Sequence, residues 1–189
     1  MTVLAENGLD GLSIRHVAAE AGISIGGVQH HFASKDELLV AASQHVTDLF
    51  KDLAIKQTQP ILVKEGPKAA FLTFCQLLAN SGPDTAHGER GTTPSVVWLW
   101  FAAQATKPGN VADAFTAAWR ETEDYLHGVI VELFPYCDAS EEAAYLLALL
   151  DGLAVARATE PARMPPIRAR SIIQSHFRRL DAHQIADLQ

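Results

Sequence analysis

The 189-residue chain lacks the features that mark secreted and membrane proteins. Its two cysteines, Cys75 and Cys137, lie far apart and form no CxxC motif, which favours ordinary reduced core thiols. No apolar run approaches the roughly 20 residues that a membrane helix needs. No basic segment followed by an apolar run marks a signal peptide. We therefore expect a cytoplasmic protein.

An excess of positive charge is also missing. The formal net charge is -7, which argues against a protein that coats nucleic acid without selectivity. A catalytic or metal-binding constellation is missing as well. His30 and His31 are adjacent, so on a helix they point about 100° apart and make a poor metal pair. His87 and Glu89 are too sparse for a site, and no Gly-rich phosphate loop is present. We expect no enzyme activity, no metal and no cofactor.

Alternating strand patterns and internal repeats are absent too. Hydrophobic residues make up 48% of the chain, and they recur at helical spacing. The sequence therefore predicts an all-α protein. We place a helix-turn-helix unit at residues 1–45 and a larger helical body at residues 46–189.

The segment from Ser13 to Leu39 carries the clearest pattern. Ser13 and Ser24 are suited to cap two successive helices. Gly22 lies where the intervening turn needs a left-handed residue. Ala18 is small enough for two helices to cross closely, and this set of spacings predicts a helix-turn-helix.

The outward face of the second helix is unusual for a solvent-exposed surface. It combines two glycines with three side chains that can donate hydrogen bonds: Gly26, Gly27, Gln29, His30 and His31. Such a face suits a helix whose backbone comes close to a DNA groove. The alternative is a pair of surface helices in some other helical protein. From Asp10 to Val40 the charge is -2, so DNA binding must rely on few, well-placed contacts.

Helix boundaries follow from glycine, proline and capping residues. Met1 to Asn7 reads as a short helix that ends at Gly8, so we expect a truncated first helix. A linking helix begins near Ser34 and runs to about Ile55, and Pro60 predicts a break. Further helices are predicted at residues 68–80, 94–106, 111–134, 141–158 and 168–180, with a polar loop at 81–93. Pro67 can start the first of these helices, and Pro161, Pro165 and Pro166 form a stiff linker before the last one. The helix at 94–106 is apolar nearly all round and is expected to be buried.

The front unit resembles the DNA-binding domain of the TetR/AcrR family of bacterial regulators. The matching stretch is GLDGLSIRHVAAEAGISIGGVQHHFASKDELL. The body is similar to the C-terminal domain of the betaine-regulator-like branch, through VWLWFAAQA and LLALLDGLA. The resemblance implies a DNA-binding, ligand-responsive homodimer. The implied DNA-binding residues are Ser13, Arg15, Ser24, Gly27, Gln29, His30, His31 and Lys35. Gln29 stands where the family has tyrosine, and its amide can pair with adenine.

The family dimerises through its last two long helices. Apolar residues encircle the first of these, so packing on one side alone would leave apolar surface bare: Leu146, Leu147, Leu149, Leu150, Leu153 and Val155. The alternative is a helix that is buried within its own monomer. Asp151 lies among these leucines, and a buried carboxylate needs a partner. We expect it to cap a neighbouring helix or to bond across the dimer.

The resemblance also implies a small-molecule site in the body, for an apolar or cationic organic effector. The candidate lining residues are Phe71, Phe74, Cys75, Trp98, Phe101, Gln104, Phe115, Trp119, Glu123 and Tyr125. Aromatic rings beside Glu123 would suit a cation, although any single aromatic here is more often plain core.

The function expected from these residues is a homodimeric repressor of transcription. It would bind a palindromic operator in double-stranded DNA and leave it when a small organic molecule binds. One alternative is a helical small-molecule-binding or interaction protein that has lost DNA binding through its shortened first helix. Another is an all-α enzyme, for which no catalytic set is visible.

Overall fold

The computed structural model describes residues 11–79 and 94–186, and every regular element in these ranges is helical. The predicted all-α class is therefore confirmed. The helices are α1 (Ile14–Ala21), α2 (Ile25–His31), α3 (Lys35–Glu65), α4 (Pro67–Leu78), α5 (Pro94–Gln104), α6 (Asn110–Leu133), α7 (Ala139–Thr159) and α8 (Pro166–Ala186). The short helix predicted before Gly8 and the loop predicted at 81–93 lie outside the described residues.

Helices α1 and α2 form as the capping pattern predicts. The Ser13 hydroxyl accepts a hydrogen bond from the His16 N–H at 3.2 Å, and the Ser24 hydroxyl accepts one from the Gly27 N–H at 3.0 Å. Gly22 ends α1 with φ 66°, a left-handed conformation that glycine adopts without a Cβ clash. Each helix thus obtains its N-terminal cap from the residue that the sequence indicated.

Helix α3 is longer than predicted, because it continues through Pro60 to Glu65. The expected break at Pro60 is therefore wrong. A proline inside a helix lacks its own N–H and its ring crowds the carbonyl four residues earlier, which kinks a helix without having to end it. The turn comes later, at Gly66 with φ 89°, and Pro67 starts α4 as predicted.

Helix α8 also extends beyond its predicted bounds of 168–180. It starts at Pro166, which we had assigned to a stiff linker. Proline is favoured in the first turn of a helix, because the N–H that it lacks would have no partner there. The prolines before α8 therefore lead directly into the helix.

The chain forms two compact units. The first comprises residues 1–50 and 87–118, and the second comprises residues 51–86 and 119–189, so α3 and α6 each contribute to both. The described core of the first unit contains residues from the segment before α1 and from α3 and α5: Leu12, Leu38, Leu39, Val97 and Phe101. The core of the second unit is larger and is built from α4, α6, α7 and α8.

Helix α5 is less buried than its apolar sequence led us to expect. The first unit buries Val97 and Phe101, whereas Trp98, Leu99 and Trp100 stay partly accessible. The prediction of a fully buried helix is therefore wrong for the single chain. Its described core contacts include α3 residues, and one such contact face cannot cover a helix that is apolar all round.

Helix α7 corrects another expectation. Leu146, Leu147, Leu150 and Leu153 are all at most 5% exposed within their own chain. The leucines therefore do not leave bare apolar surface for a partner, as we had inferred. They face the unit's own core, because α4, α6 and α8 contribute to the same cluster. The exposed side of α7 carries mainly small residues and one tyrosine: Ala144, Tyr145, Ala148 and Gly152.

Candidate DNA-binding surface and effector site

The helix pair α1–α2 has one buried residue in each helix. Ala18 and Val28 are each 2% exposed, and they are the buried residues of their two helices. The small side chain of Ala18 allows the close approach that a helix-turn-helix needs. Most of the other residues of α2 are exposed.

Most of the predicted DNA-binding side chains are exposed on this helix pair. The exposed set is Arg15, Ser24, Gln29, His30, His31 and Lys35, while Ser13 and Gly27 are half-buried. The hydroxyls of Ser13 and Ser24 accept backbone N–H groups as caps. Because a hydroxyl that accepts a hydrogen bond keeps its own proton to donate, both serines remain able to bind a phosphate oxygen.

The two histidines of α2 contact each other edge to face, with ring centroids 5.4 Å apart. In the part of the chain that the structure describes, no three His, Cys, Asp or Glu residues cluster as metal ligands would. The imidazoles of His30 and His31 are exposed, so their ring nitrogens are available to an external hydrogen-bonding partner.

The glycines of α2 are not required by the fold. A Cβ at Gly26 would come no closer than 3.9 Å to another atom, the Ser24 hydroxyl oxygen. At Gly27 the same hydroxyl would be 3.4 Å away, which is an ordinary contact. Glycine within a helix costs about 1 kcal/mol relative to alanine. Gly26 and Gly27 therefore lower the stability of α2, although packing within the chain does not require glycine at either position.

The residues predicted to line an effector site are divided between the two units. Four of them belong to the first unit: Trp98, Phe101, Gln104 and Phe115. The other six belong to the second unit: Phe71, Phe74, Cys75, Trp119, Glu123 and Tyr125. Phe71, Cys75 and Phe101 are at most 4% exposed and form part of the hydrophobic cores.

The aromatic residues among them make ring contacts within their own units. Trp98 and Phe115 have centroids 6.2 Å apart, and Phe74 meets Tyr125 edge to face at 4.8 Å. Complete burial raises the pKa of the Cys75 thiol far above its usual range. This thiol is therefore an unreactive core group.

Trp119 and Asp151 form a direct link between α6 and α7. The indole Nε1–H donates to Asp151 Oδ2 at 3.0 Å. Burial raises the pKa of the Asp151 carboxyl to about 6, and the Trp119 hydrogen bond partly offsets the increase. We had expected this carboxylate to cap a helix or to bond across a dimer. The structure instead gives it a partner from the predicted effector set.

A polar cluster around the buried His176, between α7 and α8, was not predicted. His176 is 6% exposed, its Nδ1 lies 2.9 Å from an Arg179 guanidinium nitrogen, and its Nε2 lies 3.6 Å from Glu142 Oε2. The His176 ring also stacks on Tyr145 at 5.3 Å. Burial and the nearby Arg179 lower the His176 pKa to about 4. The position of His176 beside Ile173 and Phe177 in the apolar pattern of α8 was the signal in the sequence.

A shallow surface groove runs between α4 and α8. Its lining includes Lys68, Leu72, Phe177 and Arg178, and Lys68 forms an ion pair with Asp181 at 2.6 Å. None of the predicted effector residues lines this groove.

The two parts of the chain match two family models. Residues 1–42 match the bacterial regulatory proteins of the tetR family, and residues 85–182 match the C-terminal domain of BetI-type transcriptional repressors. The chain belongs to the TetR family. The resemblance inferred from the helix-turn-helix is thus confirmed, and so is its BetI-like branch.

The similarity to known regulators extends over nearly the whole chain. The transcriptional regulator PksA of Bacillus subtilis is 31% identical over 188 residues, covering 92% of this chain and 82% of PksA. A transcriptional regulator from Rhodococcus sp. RHA1 has a similar structure, with a TM-score of 0.76, 28% identity and coverage of 95% of this chain and 90% of that one. A regulator from Saccharomonospora viridis, solved with choline, has a TM-score of 0.72 and 22% identity over 92% of this chain and 88% of that one, which shows a shared fold.

Family membership makes this TetR protein a DNA-binding, ligand-responsive regulator of transcription. The expectation that it is no enzyme is confirmed by the same membership, because the family consists of regulators. It also favours the regulator over a helical binding protein without DNA binding. In the described ranges, no helix combines the length and the apolar character needed to cross a membrane.

Proposed function

We propose that this TetR protein is a homodimeric cytoplasmic repressor that binds a palindromic operator and leaves it when an organic effector binds. The single observation that carries the proposal is the exposed face of α2, where Gln29, His30 and His31 project from a capped helix. Residues 1–45 would bind DNA, and residues 46–189 would bind the effector and the second subunit.

Each exposed side chain has a distinct role in the proposed complex. Gln29 reads a base, because an amide pairs bidentately with adenine in the major groove. Arg15 and Lys35 neutralise phosphates, and Ser13 and Ser24 donate to phosphate oxygens. With so few cations, specificity depends more on Gln29 and His30 than on the total charge.

The test of this assignment uses duplexes selected from a random DNA library. The affinity of the full chain for a selected duplex is compared with its affinity for a scrambled duplex of equal composition. The variant Gln29→Ala plus His30→Ala is expected to lower that preference by tenfold or more. The control is Gln59→Ala plus His127→Ala, which removes an exposed Gln and an exposed His from the second unit, away from α7 and α8. An unchanged preference in the first variant would refute the role of α2.

The proposed dimer uses the exposed sides of α7 and α8. Tyr145 on α7 is 50% exposed and Ile167 on α8 is 70% exposed, and Ala148 and Gly152 are small exposed residues of α7. Small residues allow two helices to approach closely, and the aromatic ring supplies apolar area. A dimer places two α2 helices about one DNA turn, or a multiple, apart.

Sedimentation equilibrium tests the dimer. The wild-type chain is expected at twice its monomer mass of 20.5 kDa. Ala148→Glu introduces a charge into the proposed interface and is expected to give monomers. Ala19→Glu, at an exposed position of α1, is the matched control and is expected to stay dimeric. A dimeric Ala148→Glu protein would assign the interface to another surface.

The effector is proposed to bind among the predicted aromatic residues of the second unit. The mechanism is a population shift, in which the effector binds better to a form whose α2 helices no longer match successive grooves. Within the second unit, α3 is joined to α6 by the ion pair of Lys51 and Glu121 at 2.7 Å. Choline is the first probe, because a protein of the same fold was solved with it. Release of the selected duplex by choline is the expected result.

A further inference from the structure

We propose that the groove between α4 and α8 binds a small organic carboxylate, and that Arg178 is the cation that recognises the carboxylate group. The groove shares no residue with the predicted effector set, so it would be a second ligand site, for a ligand of a different charge class. The inference depends neither on DNA binding nor on the proposed effector site.

The shape of the groove is the first argument. Helices α4 and α8 both contribute to the core of the second unit, and the groove lies at the surface between them. Its volume is about 270 Å³, slightly below the roughly 300–1,000 Å³ of sites for drug-sized ligands. The lining residues of α8 recur every three or four positions, which places them on one side of that helix: Gln174, Phe177, Arg178 and Asp181. The groove therefore suits a small ligand that contacts both helices.

The lining combines an apolar floor with a polar rim. Phe177 is 8% exposed and Leu72 is half-buried, and both pack with the core of the second unit. Gln174 and Arg178 are exposed. A ring or an alkyl chain that lies against Phe177 and Leu72 would lose contact with water, while the rim would hold a polar group. The groove therefore matches a ligand with one apolar end and one polar end.

The charges of the rim select the polar group. Lys68 already has partners, because its ammonium lies 2.6 Å from Asp181 Oδ1 and 4.9 Å from the centre of the Phe134 ring. The Arg178 guanidinium forms no hydrogen bond or ion pair with any residue of the ranges 11–79 and 94–186. With two cations and one carboxylate, the groove keeps one positive charge in excess, although the whole chain has a net charge of -7.

The geometry of the two free side chains favours a carboxylate. A guanidinium presents parallel N–H groups that match the two oxygens of a carboxylate. Gln174 lies one helical turn before Arg178, so its amide can donate a further hydrogen bond to the same group. A dianion such as phosphate would leave one negative charge unmatched, beside Asp181. A single carboxylate on an apolar body fits both the charge and the floor.

The experiment compares 3-phenylpropanoate with 3-phenylpropanamide, which has the same carbon skeleton but no charge. The methyl signals of Leu72 in ¹H–¹³C NMR spectra of the full chain report binding in the groove, and their loss in Leu72→Ile assigns them. Both probes are titrated into wild type, Arg178→Gln and Arg120→Gln. Arg120 is exposed on α6 and does not line the groove, so Arg120→Gln removes the same charge as a matched control.

The wild-type chain is expected to bind 3-phenylpropanoate with a Kd of roughly 1 mM, because the ligand is small and the groove is open. It should prefer the carboxylate to the amide by about fivefold, because an exposed ion pair contributes modestly. Arg178→Gln is expected to remove that preference while changing the affinity for the amide by less than about twofold, which shows that the groove is intact. Arg120→Gln is expected to retain the preference.

Asp181→Asn tests the charge balance in the opposite direction. The substitution removes the carboxylate that pairs with Lys68, so the groove would hold two cations and no carboxylate. We expect the preference for 3-phenylpropanoate over the amide to rise by about twofold to fivefold. A lower preference than in wild type would contradict the proposal.

Three other results would overturn it. In the first, the Leu72 signals shift with neither probe. In the second, the preference survives in Arg178→Gln, or is lost equally in Arg120→Gln, which would indicate long-range attraction and not recognition in the groove. In the third, inorganic phosphate binds as tightly as 3-phenylpropanoate, which would show an adventitious ion only. The titrations contain no DNA, so their outcome is independent of whether the proposed repressor function holds.

Discussion

The α1–α2 pair and the α7–α8 pair are two pairs of neighbouring helices that are stabilised in different ways. The first pair has one buried residue in each helix, Ala18 and Val28, together with serine caps and a left-handed glycine. The second pair contributes many residues to a large core and also forms the polar cluster around the buried His176. The first pair is therefore shaped by local backbone rules, and the second by packing.

This difference matches the two tasks of a TetR regulator. A helix that enters a DNA groove must keep most of its surface exposed, so few of its side chains can be buried in the protein core. The body binds the effector and provides most of the stability of the chain, so it needs a large hydrophobic core. We therefore expect substitutions in the body to change mainly the free energy of unfolding, and substitutions in α1 and α2 to change mainly DNA binding.

The largest effect is expected from Leu146→Ala in α7. Leu146 is fully buried, so the truncation removes apolar contacts and leaves a cavity. We expect the free energy of unfolding to fall by about 2–5 kcal/mol. Urea denaturation followed by circular dichroism measures it. Leu62→Ala is the control, because Leu62 is 49% exposed and should cost much less.

The next largest effect on stability is expected from Ala18→Leu, which changes the α1–α2 pair. At 2% exposure there is no room for three more carbons where α1 crosses α2. Overpacking costs about 1–3 kcal/mol. We expect faster amide hydrogen exchange in α1 and α2 and weaker DNA binding, with little change in α7 and α8. Ala19→Leu lies beside it on the exposed side of α1 and should change neither quantity.

Asp151→Asn should change stability in a pH-dependent way. The native pKa of about 6 lies above the ordinary value of 3.8, so between these pH values the native chain binds more protons than the unfolded one. Ionisation of Asp151 therefore lowers stability as pH rises through 6. The variant should be more stable than wild type by about 1–2 kcal/mol at pH 8, after allowance for partial exposure. That advantage should disappear near pH 4, and equal differences at both pH values would contradict it.

The smallest expected effect is from Gly26→Ala, and its direction is informative. Because the added Cβ has room, we expect α2 to be stabilised by at most about 1 kcal/mol. DNA binding should nevertheless weaken, because the methyl group lies on the surface that approaches the groove. Gly128→Ala adds a Cβ in open space on α6, so it should stabilise without affecting DNA. Tighter DNA binding by Gly26→Ala would argue against close backbone approach.

Local chemistry made the front of the molecule predictable. Ser13, Gly22 and Ser24 act within three or four residues of their own positions, so spacing alone indicated each cap and turn. The same rules gave the start of α4 at Pro67. The same rules failed at Pro60. Whether a helix kinks or ends at a proline depends on the tertiary contacts that stabilise the helix on both sides of it, and the residues that make such contacts are distant in the sequence.

The body was less predictable for a physical reason. Helical spacing identifies an apolar helix but does not say which of its sides meets its own core. The leucines of α7 were therefore assigned to a partner, whereas they pack inside the chain. Polar pairs such as Trp119–Asp151 and His176–Glu142 join residues 32 and 34 positions apart, and no local pattern encodes such a contact.

The sequence by itself determined the all-α class and the helix-turn-helix with its caps, because these depend on short spacings along the chain. Its motif residues also carried the resemblance to the TetR family, which the family models confirm. Tertiary structure alone decided which face of α7 is buried, that Trp119 and not a helix end bonds Asp151, and that His176 lies under Tyr145. Those outcomes depend on how distant helices share a limited volume, and only their packing sets which polar groups lose water together.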